Sequence, residues 1–379
     1  MKTRSFFWAT AAAVVCLFGV VSARQGGQDQ AGSMSEQRFK NILVLKGIPV
    51  DTFFDVMGMF AASMGDDCTY CHAKEATFRD EAFAETTPRI ARARQMIAMT
   101  QALNKTYFGG APRITCFTCH RGSYSPWDAP RLSLQYSPPV EDPDAMTFTA
   151  DTSVSVDKVF ERYIEALGGA ARLGARTSFV ARGTYAGFDT GGDQVPVEIV
   201  AKSPNQRAWV VRMFGGDSHR VFDGRSAWWA GPDSPLPIET LTSGNLDRYR
   251  LEALVAFPTG IKQAYRQWKA GLTLIGDREV TILQGTNPGD GLLPVNFYFD
   301  EESGLLIRWV RWNQTPLAPV PTAVDYDDYR DVAGVKMPFK WIVSQTYMQM
   351  TIALSDVQPN VTVDAARFAM PAPAVRRKR

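Results

Sequence analysis

A five-residue pattern that occurs twice constrains this chain more than any other feature. Cys68-Thr69-Tyr70-Cys71-His72 is matched by Cys116-Phe117-Thr118-Cys119-His120. The chain has 5 Cys and 3 His, and the two patterns use four of the cysteines and two of the histidines. In C-x-x-C-H the cysteines lie three apart, on neighbouring positions of one helical turn. Both thiols then reach one edge of a porphyrin, and the next residue, His, projects toward the iron. A four-cysteine zinc site spaces its pairs by ~15–20 residues, whereas Cys71 and Cys116 are 45 positions apart. A thioredoxin-like dithiol needs a single pair beside a βαβ pattern, and none precedes either pair. A disulfide within either pair is strained. The pattern predicts two covalently bound haem c groups. Cys68, Cys71, Cys116 and Cys119 are the thioether anchors, and His72 and His120 the proximal iron ligands.

The start of the chain agrees with this reading. Lys2 and Arg4 precede an apolar run from Phe6 to Val21, and Val21-Ser22-Ala23 supplies small residues for cleavage. This is a secretory signal peptide over 1–23, with an uncleaved anchor as the alternative. Cys16 lies in that run, but Ala13 and Val15 stand where a lipoprotein signal needs Leu and a small residue, so Cys16 leaves with the signal. No later apolar run approaches ~18 residues. Haem c is attached after export, so the expected location is the periplasm. With Lys+Arg 41 against Asp+Glu 39, the net charge of +2 speaks against nucleic acid as a partner.

The remaining His, His219, lies in a strand-like stretch far from both motifs, so the sixth iron ligands are sought among methionines, whose thioether suits low-spin haem iron. Met34, Met57, Met59, Met64, Met96 and Met99 precede the second motif. A first helix is expected from an N-cap at Asp51 to Gly65, with Phe53, Met57, Phe60 and Met64 on one face and Met59 pointing elsewhere. The alternative for this stripe is plain apolar core. Met64 is too close to Cys68 to reach the opposite haem face. A second helix is expected from Thr87-Pro88 to Gly109-Gly110, carrying Met96 and Met99 on one broad face. Periodicity does not choose between those two.

Residues from about 38 to 122 resemble the cytochrome c subunit of photosynthetic reaction centres. The likeness rests on Val44-Leu45-Lys46-Gly47-Ile48-Pro49-Val50, Met57-Gly58-Met59-Phe60-Ala61-Ala62-Ser63, Ala93-Arg94-Gln95-Met96-Ile97-Ala98-Met99-Thr100, and Thr115 to Gly122 around the second motif. The resemblance implies that each helix lies along a haem and gives it an axial Met. It favours Met57 for the first haem and Met96 for the second, with Met99 as the alternative. The best-known members carry four haems and this chain has two motifs, so it implies a dihaem electron-transfer module more strongly than photosynthesis. Lys74, Arg113 and Arg121 are candidates for pairing with haem propionates, against ordinary surface charge. Tyr70, Phe117, Tyr107 and Phe108 are candidates for packing at the porphyrins.

At 379 residues the chain has room for two domains. The fold class expected is α + β: a helical dihaem module over 24–122, a Pro-rich linker over 123–150, and a β-rich domain over 151–379. Pro126, Pro130, Pro138, Pro139 and Pro143 oppose regular structure in the linker, which alternatively wraps the haem module as an arm anchored by Trp127 and Tyr136. Beyond it, a helix over 154–167 buries Val156, Val159, Phe160, Tyr163 and Leu167 and ends at Gly168-Gly169. Short strands follow: 179–185, 195–201, 208–214, 219–222, 226–229, 279–283, 295–299, 305–312, 340–344 and 348–354. Turns are marked by Asp223-Gly224 and Gly304. Further helix is expected over 241–269, through Leu251, Leu254, Val255 and Trp268. The sheet is read as an antiparallel curved sheet or half-barrel with a helix. Through Gly168-Gly169, Phe299-Asp300, Gly304 to Leu306, Tyr326 to Arg330 and Val335 to Pro338 it loosely resembles the periplasmic lipoprotein-carrier fold, which implies a lipophilic ligand.

The function expected is a periplasmic dihaem cytochrome c that carries single electrons between redox protein partners. A closed, Met-ligated iron favours a carrier over an enzyme. Two other classes share the motifs: a haem enzyme reducing peroxide at an open iron, and a lipid- or quinone-binding module with redox haems. The basic end, Arg376-Arg377-Lys378-Arg379, suggests peripheral contact with an anionic membrane surface.

Overall fold

A computed structural model describes residues 32–77, 79–137, 144–232 and 236–371. The expected signal peptide with Cys16, the prolines at 138, 139 and 143, and the basic end fall outside them.

Helix α1 spans Val50–Met64 and stops at Gly65, whose φ of +68° turns the chain toward the first motif. Its N-cap is Pro49, not the expected Asp51. The Asp51 carboxylate bonds elsewhere, as described below. Helix α2 spans Pro88–Tyr107. The Thr87 hydroxyl accepts from the Ile90 amide, and Pro88 sits in the first turn, where its missing N–H costs nothing. Gly109 and Gly110, both at positive φ, follow its end. The second motif is itself a short helix, α3, Cys116–His120, while the first forms a 3-10 turn at Cys68–Tyr70.

Three more helices serve the sheet: α4, Val156–Ala166, capped by Ser155; α5, Ala170–Ala175; and α6, Ser243–Ala256. The sheet has thirteen strands, all paired antiparallel: β1 Ser178–Gly187, β2 Val195–Lys202, β3 Gln206–Met213, β4 Gly216–Phe222, β5 Ala227–Ala230, β6 Glu239–Thr240, β7 Gln267–Ile275, β8 Arg278–Thr286, β9 Val295–Asp300, β10 Leu306–Gln314, β11 Pro319–Val332, β12 Val335–Gln345 and β13 Gln349–Pro359. The order is β6-β5-β4-β3-β2-β1-β13-β12-β11-β10-β9-β8-β7. The chain enters at the middle with β1, steps outward to β6, crosses on α6 to the far edge at β7, and steps back until β13 pairs with β1. Helix α6 touches β3, β4 and β5 on one side and β10 on the other, so the sheet curves around it. The apolar face of α4 fills the concavity farther along, with Phe160 edge-on to Trp268 and Phe299 at 5.0 and 5.8 Å.

Two expectations for this half change. Residues 243–256 are helical, but Trp268 lies in strand β7, where it packs against Tyr265 and Phe297 as well as Phe160. Tyr136 is 82% exposed and anchors nothing, whereas the Trp127 amide donates to the Cys119 carbonyl at 2.8 Å.

Helix α1 seats on one end of the sheet through a polar lock. Asp51 accepts from the Thr242 amide at 2.6 Å and from its hydroxyl at 2.9 Å, and so satisfies donors at the start of α6. Asp55 accepts from Asn245 at 2.8 Å and from Asn313 at 2.5 Å. Burial pushes Asp51 up from the usual carboxylate range and Asp55 up to about 6. Beside the lock, Val56 and Met59 share an apolar cluster with Leu317 and Ala318 of the β10–β11 turn, with Val320 at the start of β11 and with Ile97 of α2. On another part of the sheet, Asp144 pairs with Arg308 at 3.0 Å, and the Asp151 amide donates to Ala270. Residues from Gly32 onward thus form one compact unit.

Candidate haem centres

The two motifs are held by parallel devices. At the first, the Asp67 carboxylate accepts from the Thr69 amide at 2.8 Å and fixes the turn that presents Cys68 and Cys71. The Thr87 hydroxyl, already the cap of α2, also donates to the Cys71 carbonyl at 2.6 Å. Arg89 donates to the Tyr70 carbonyl and lies over its ring at 4.1 Å. The other face of Tyr70 stacks on Tyr124 at 4.6 Å, and Tyr124 hydrogen-bonds Asp66. At the second motif, Thr115 caps α3. One side chain of α2, Asn104, ties that motif down: it donates to the Ile114 carbonyl and accepts from the Arg113 and Ile114 amides.

The motifs also meet each other. The Gly122 amide donates to the Ser63 carbonyl at 3.0 Å, and Gly65 lies so near Gly122 that a Cβ there would overlap its carbonyl. Helix α1 therefore packs against α3, and the cluster bordered by Met57 and Phe60 is bordered by Cys116 as well.

Both motif histidines make the same bond. Nδ1 of His72 donates to the Phe83 carbonyl at 3.0 Å, and Nδ1 of His120 donates to the Ser123 carbonyl at 3.0 Å. A carbonyl only accepts, so Nδ1 carries a proton, and in the neutral ring Nε2 keeps its lone pair. That tautomer and a fixed ring plane are what a metal-ligating imidazole requires. Burial lowers the His72 pKa, which further favours the neutral ring.

The thiols fit thioether formation better than zinc or redox chemistry. None of the four is in a disulfide. Burial raises the pKa of Cys68 and Cys71 and pushes Cys116 up to about 11. Among the described residues, no three His, Cys, Asp or Glu side chains converge as a metal-ion site. Around the motifs the protein exposes large apolar side chains: Phe83, Met99, Tyr107, Phe108 and Phe117 are between 42% and 73% exposed. These side chains are available to pack against a porphyrin held at each Cys pair.

The methionines divide by burial. Met59 is 5% exposed and points into the cluster that joins α1 to the sheet. Met57 and Met96 are half-buried, and Met99 is 45% exposed on the side of α2 away from buried Ile97. Of the residues considered for propionates, Arg121 bonds the Thr118 carbonyl and lies 5.4 Å from the Trp127 ring, while Arg113 is exposed. His219 is half-buried on β4 beside Trp228 at 6.2 Å and belongs to the sheet. Sequence reading did not single out Thr87 beyond its cap, nor Arg89, Asn104 or Tyr124. Only Tyr124 adjoins a motif; Thr87, Arg89 and Asn104 reach theirs from 10 to 19 residues away along the chain.

Residues 16–150, a little over a third of the chain, match the family described as photosynthetic reaction centre cytochrome C subunit. This region is similar to that subunit. It is 30% identical over 102 residues to the subunit of Rubrivivax gelatinosus, covering 26% of each chain. It is 29% identical over 112 residues to that of Roseobacter denitrificans, covering 27% of this chain and 28% of the relative. The chain thus spans about a quarter of the length of these relatives. Among solved structures, a LolA superfamily protein from Nitrosomonas europaea matches with 13% identity and a TM-score of 0.38, covering 57% of this chain and 98% of its own. A DUF1329 family protein from Desulfovibrio piger matches with 10% identity and a TM-score of 0.38, covering 56% and 97%. Among the described residues, no helix is long and apolar enough to cross a membrane.

Proposed function

We propose that this chain is a periplasmic dihaem c-type cytochrome that passes single electrons between redox protein partners. The observation that carries the reading is the repeated bond from each motif histidine to a backbone carbonyl, which leaves Nε2 free at both sites. When bound, haem c supplies a one-electron ferric/ferrous couple. The rest is the work of the polypeptide. Cys68, Cys71, Cys116 and Cys119 would hold the groups covalently, and His72 and His120 would ligate the irons. Met57 would supply a further ligand at the first site and Met96 at the second. Phe83, Phe108 and Phe117 would pack against the bound groups. The contact between Gly65 and Gly122 ties the two motifs to each other.

The ferric absorption spectrum tests the assignment. A methionine–iron charge-transfer band from both haems supports the carrier. A high-spin signal that responds to peroxide at either site would point instead to an open, reactive iron.

A further inference from the structure

A cavity of about 190 Å³ lies where α1 meets the end of the sheet. Its walls include Phe54 and Asp55 of α1, Arg220 of β4, Trp229 of β5, and Tyr347 and Met348 from the β12–β13 turn. Phe54 and Trp229 meet edge to face at 6.4 Å, and Met348 adds a soft, polarisable wall. The space suits one six-membered ring: cavities of ~150 Å³ take benzene, whereas drug-sized ligands need roughly 300–1,000 Å³. An acyl chain is too long for it, and the rest of the concave face is filled by fully buried side chains such as Trp209, Trp309 and Phe297.

Two polar groups in the wall have unused capacity. The Arg220 side chain is 11% exposed, and among the described residues its Nη1, itself closed off from solvent, has no hydrogen-bond partner. Its nearest carboxylate, Asp189, is 3.8 Å away and is already held by the Tyr185 hydroxyl at 2.6 and 2.8 Å. A buried guanidinium N–H without an acceptor is costly. Also in the wall, Asp55 receives Asn245 and Asn313 on the same oxygen, Oδ2, leaving Oδ1 as an acceptor. Both side chains line this one cavity.

We propose that this cavity binds the ring of a hydroquinone-type phenol, with one hydroxyl donating to Asp55 Oδ1 and the oxygen at the opposite edge accepting from Arg220. The proposal deepens the electron-carrier reading by giving that carrier a redox-active small-molecule partner. It also places the ligand against α1, the helix that carries Met57. The same ring chemistry is offered by a membrane quinol, whose tail would leave through the cavity's open side, and by a free phenol.

Equilibrium dialysis of the haem-loaded chain tests it, with the haems reduced beforehand so that no electron passes. The probes are tail-free trimethylhydroquinone, the same ring with one isoprenoid unit, and p-xylene as an oxygen-free ring. One saturable site per chain is expected for the hydroquinones, with p-xylene at least tenfold weaker. Arg220→Met should weaken binding at least tenfold, and Met348→Trp, which fills the space from a different element, should abolish it. Haem spectra should stay unchanged in both variants. Tighter binding of the isoprenoid form identifies a membrane quinol, and equal binding a free phenol. No saturable binding, equal binding of p-xylene, or wild-type affinity in both variants overturns the proposal. A chain that binds hydroquinone but carries no haem would sink the carrier reading and leave the site standing.

Discussion

The contact between the two motifs makes a graded prediction from three glycines. Gly47, Gly65 and Gly122 have φ of +73°, +68° and +77°. An L-residue in that left-handed conformation costs about 1–2 kcal/mol, so each Gly→Ala change carries that cost. Their surroundings differ. Nothing lies within 4 Å of a Cβ added at Gly47, and at Gly122 the nearest atom is the Ala62 carbonyl oxygen at 4.0 Å. At Gly65 the added methyl overlaps the Gly122 carbonyl. That carbonyl is backbone, and its loop is fastened by the Gly122–Ser63 hydrogen bond, so it has no rotamer by which to move aside. Overpacking of this kind adds about 1–3 kcal/mol. Gly47→Ala and Gly122→Ala should therefore lose about 1–2 kcal/mol, and Gly65→Ala about 2–5 kcal/mol. Urea unfolding followed by far-UV circular dichroism on the haem-loaded proteins measures all three. If Gly65→Ala matches Gly47→Ala to within about 0.5 kcal/mol, beyond which independent sites rarely scatter, the motifs do not press on each other as described.

Other predictions follow from buried charge and from the axial ligands. Burial and neighbouring Asp51 push Glu239 up to about 8. Its folded pKa is raised, so its own contribution to stability is fully present below about pH 4.5 and is lost as pH rises toward 8, by at most ~1.4 kcal/mol per pH unit. Glu239→Gln should flatten that slope in urea titrations at several pH values, and an unchanged slope would assign it to another group. Glu252 is shared by two buried arginines, Arg207 and Arg248. Glu252→Leu should cost about 3–5 kcal/mol by leaving those cations uncompensated, and a loss under about 1 kcal/mol in thermal unfolding would show that they find other partners. Met57→Ala and Met96→Ala should each remove one methionine–iron band and lower one midpoint potential, while Met99→Ala leaves both. A spectrum unchanged by Met96→Ala transfers the second ligand elsewhere.

How much was legible depended on how local the cause was. The C-terminal end of α1 and both ends of α2 were readable because Gly65, Thr87-Pro88 and Gly109-Gly110 act within a turn of the chain. The first half of the sheet was readable because its strands alternate and Asp223-Gly224 closes a hairpin, in which the Asp223 carboxylate accepts from the Arg225 and Ser226 amides. Strand β11 was missed because Pro319 and Pro321 argue against an inner strand. The structure accommodates them at its start, where β11 already faces β10 but pairing with β12 begins only at Thr322. Strand β7 was missed because Trp268, Ala270 and Gly271 fit a helical or a strand pattern equally well. The haem anchors were legible as covalent spacing. The polar lock was not, because Asp51 meets Thr242, and Asp55 meets Asn313, across most of the chain, and sequence registers only two carboxylates four apart on an otherwise apolar helix.

The central claim is that each C-x-x-C-H pattern carries its own covalent haem. Intact mass of the chain, expressed with a c-type maturation system and denatured before measurement, tests it most directly. Two haems per chain are expected, falling to one when Cys68 and Cys71 are both changed to Ser, and likewise for Cys116 and Cys119. A mature polypeptide at its bare mass, or one whose haem is lost on denaturation, contradicts the account.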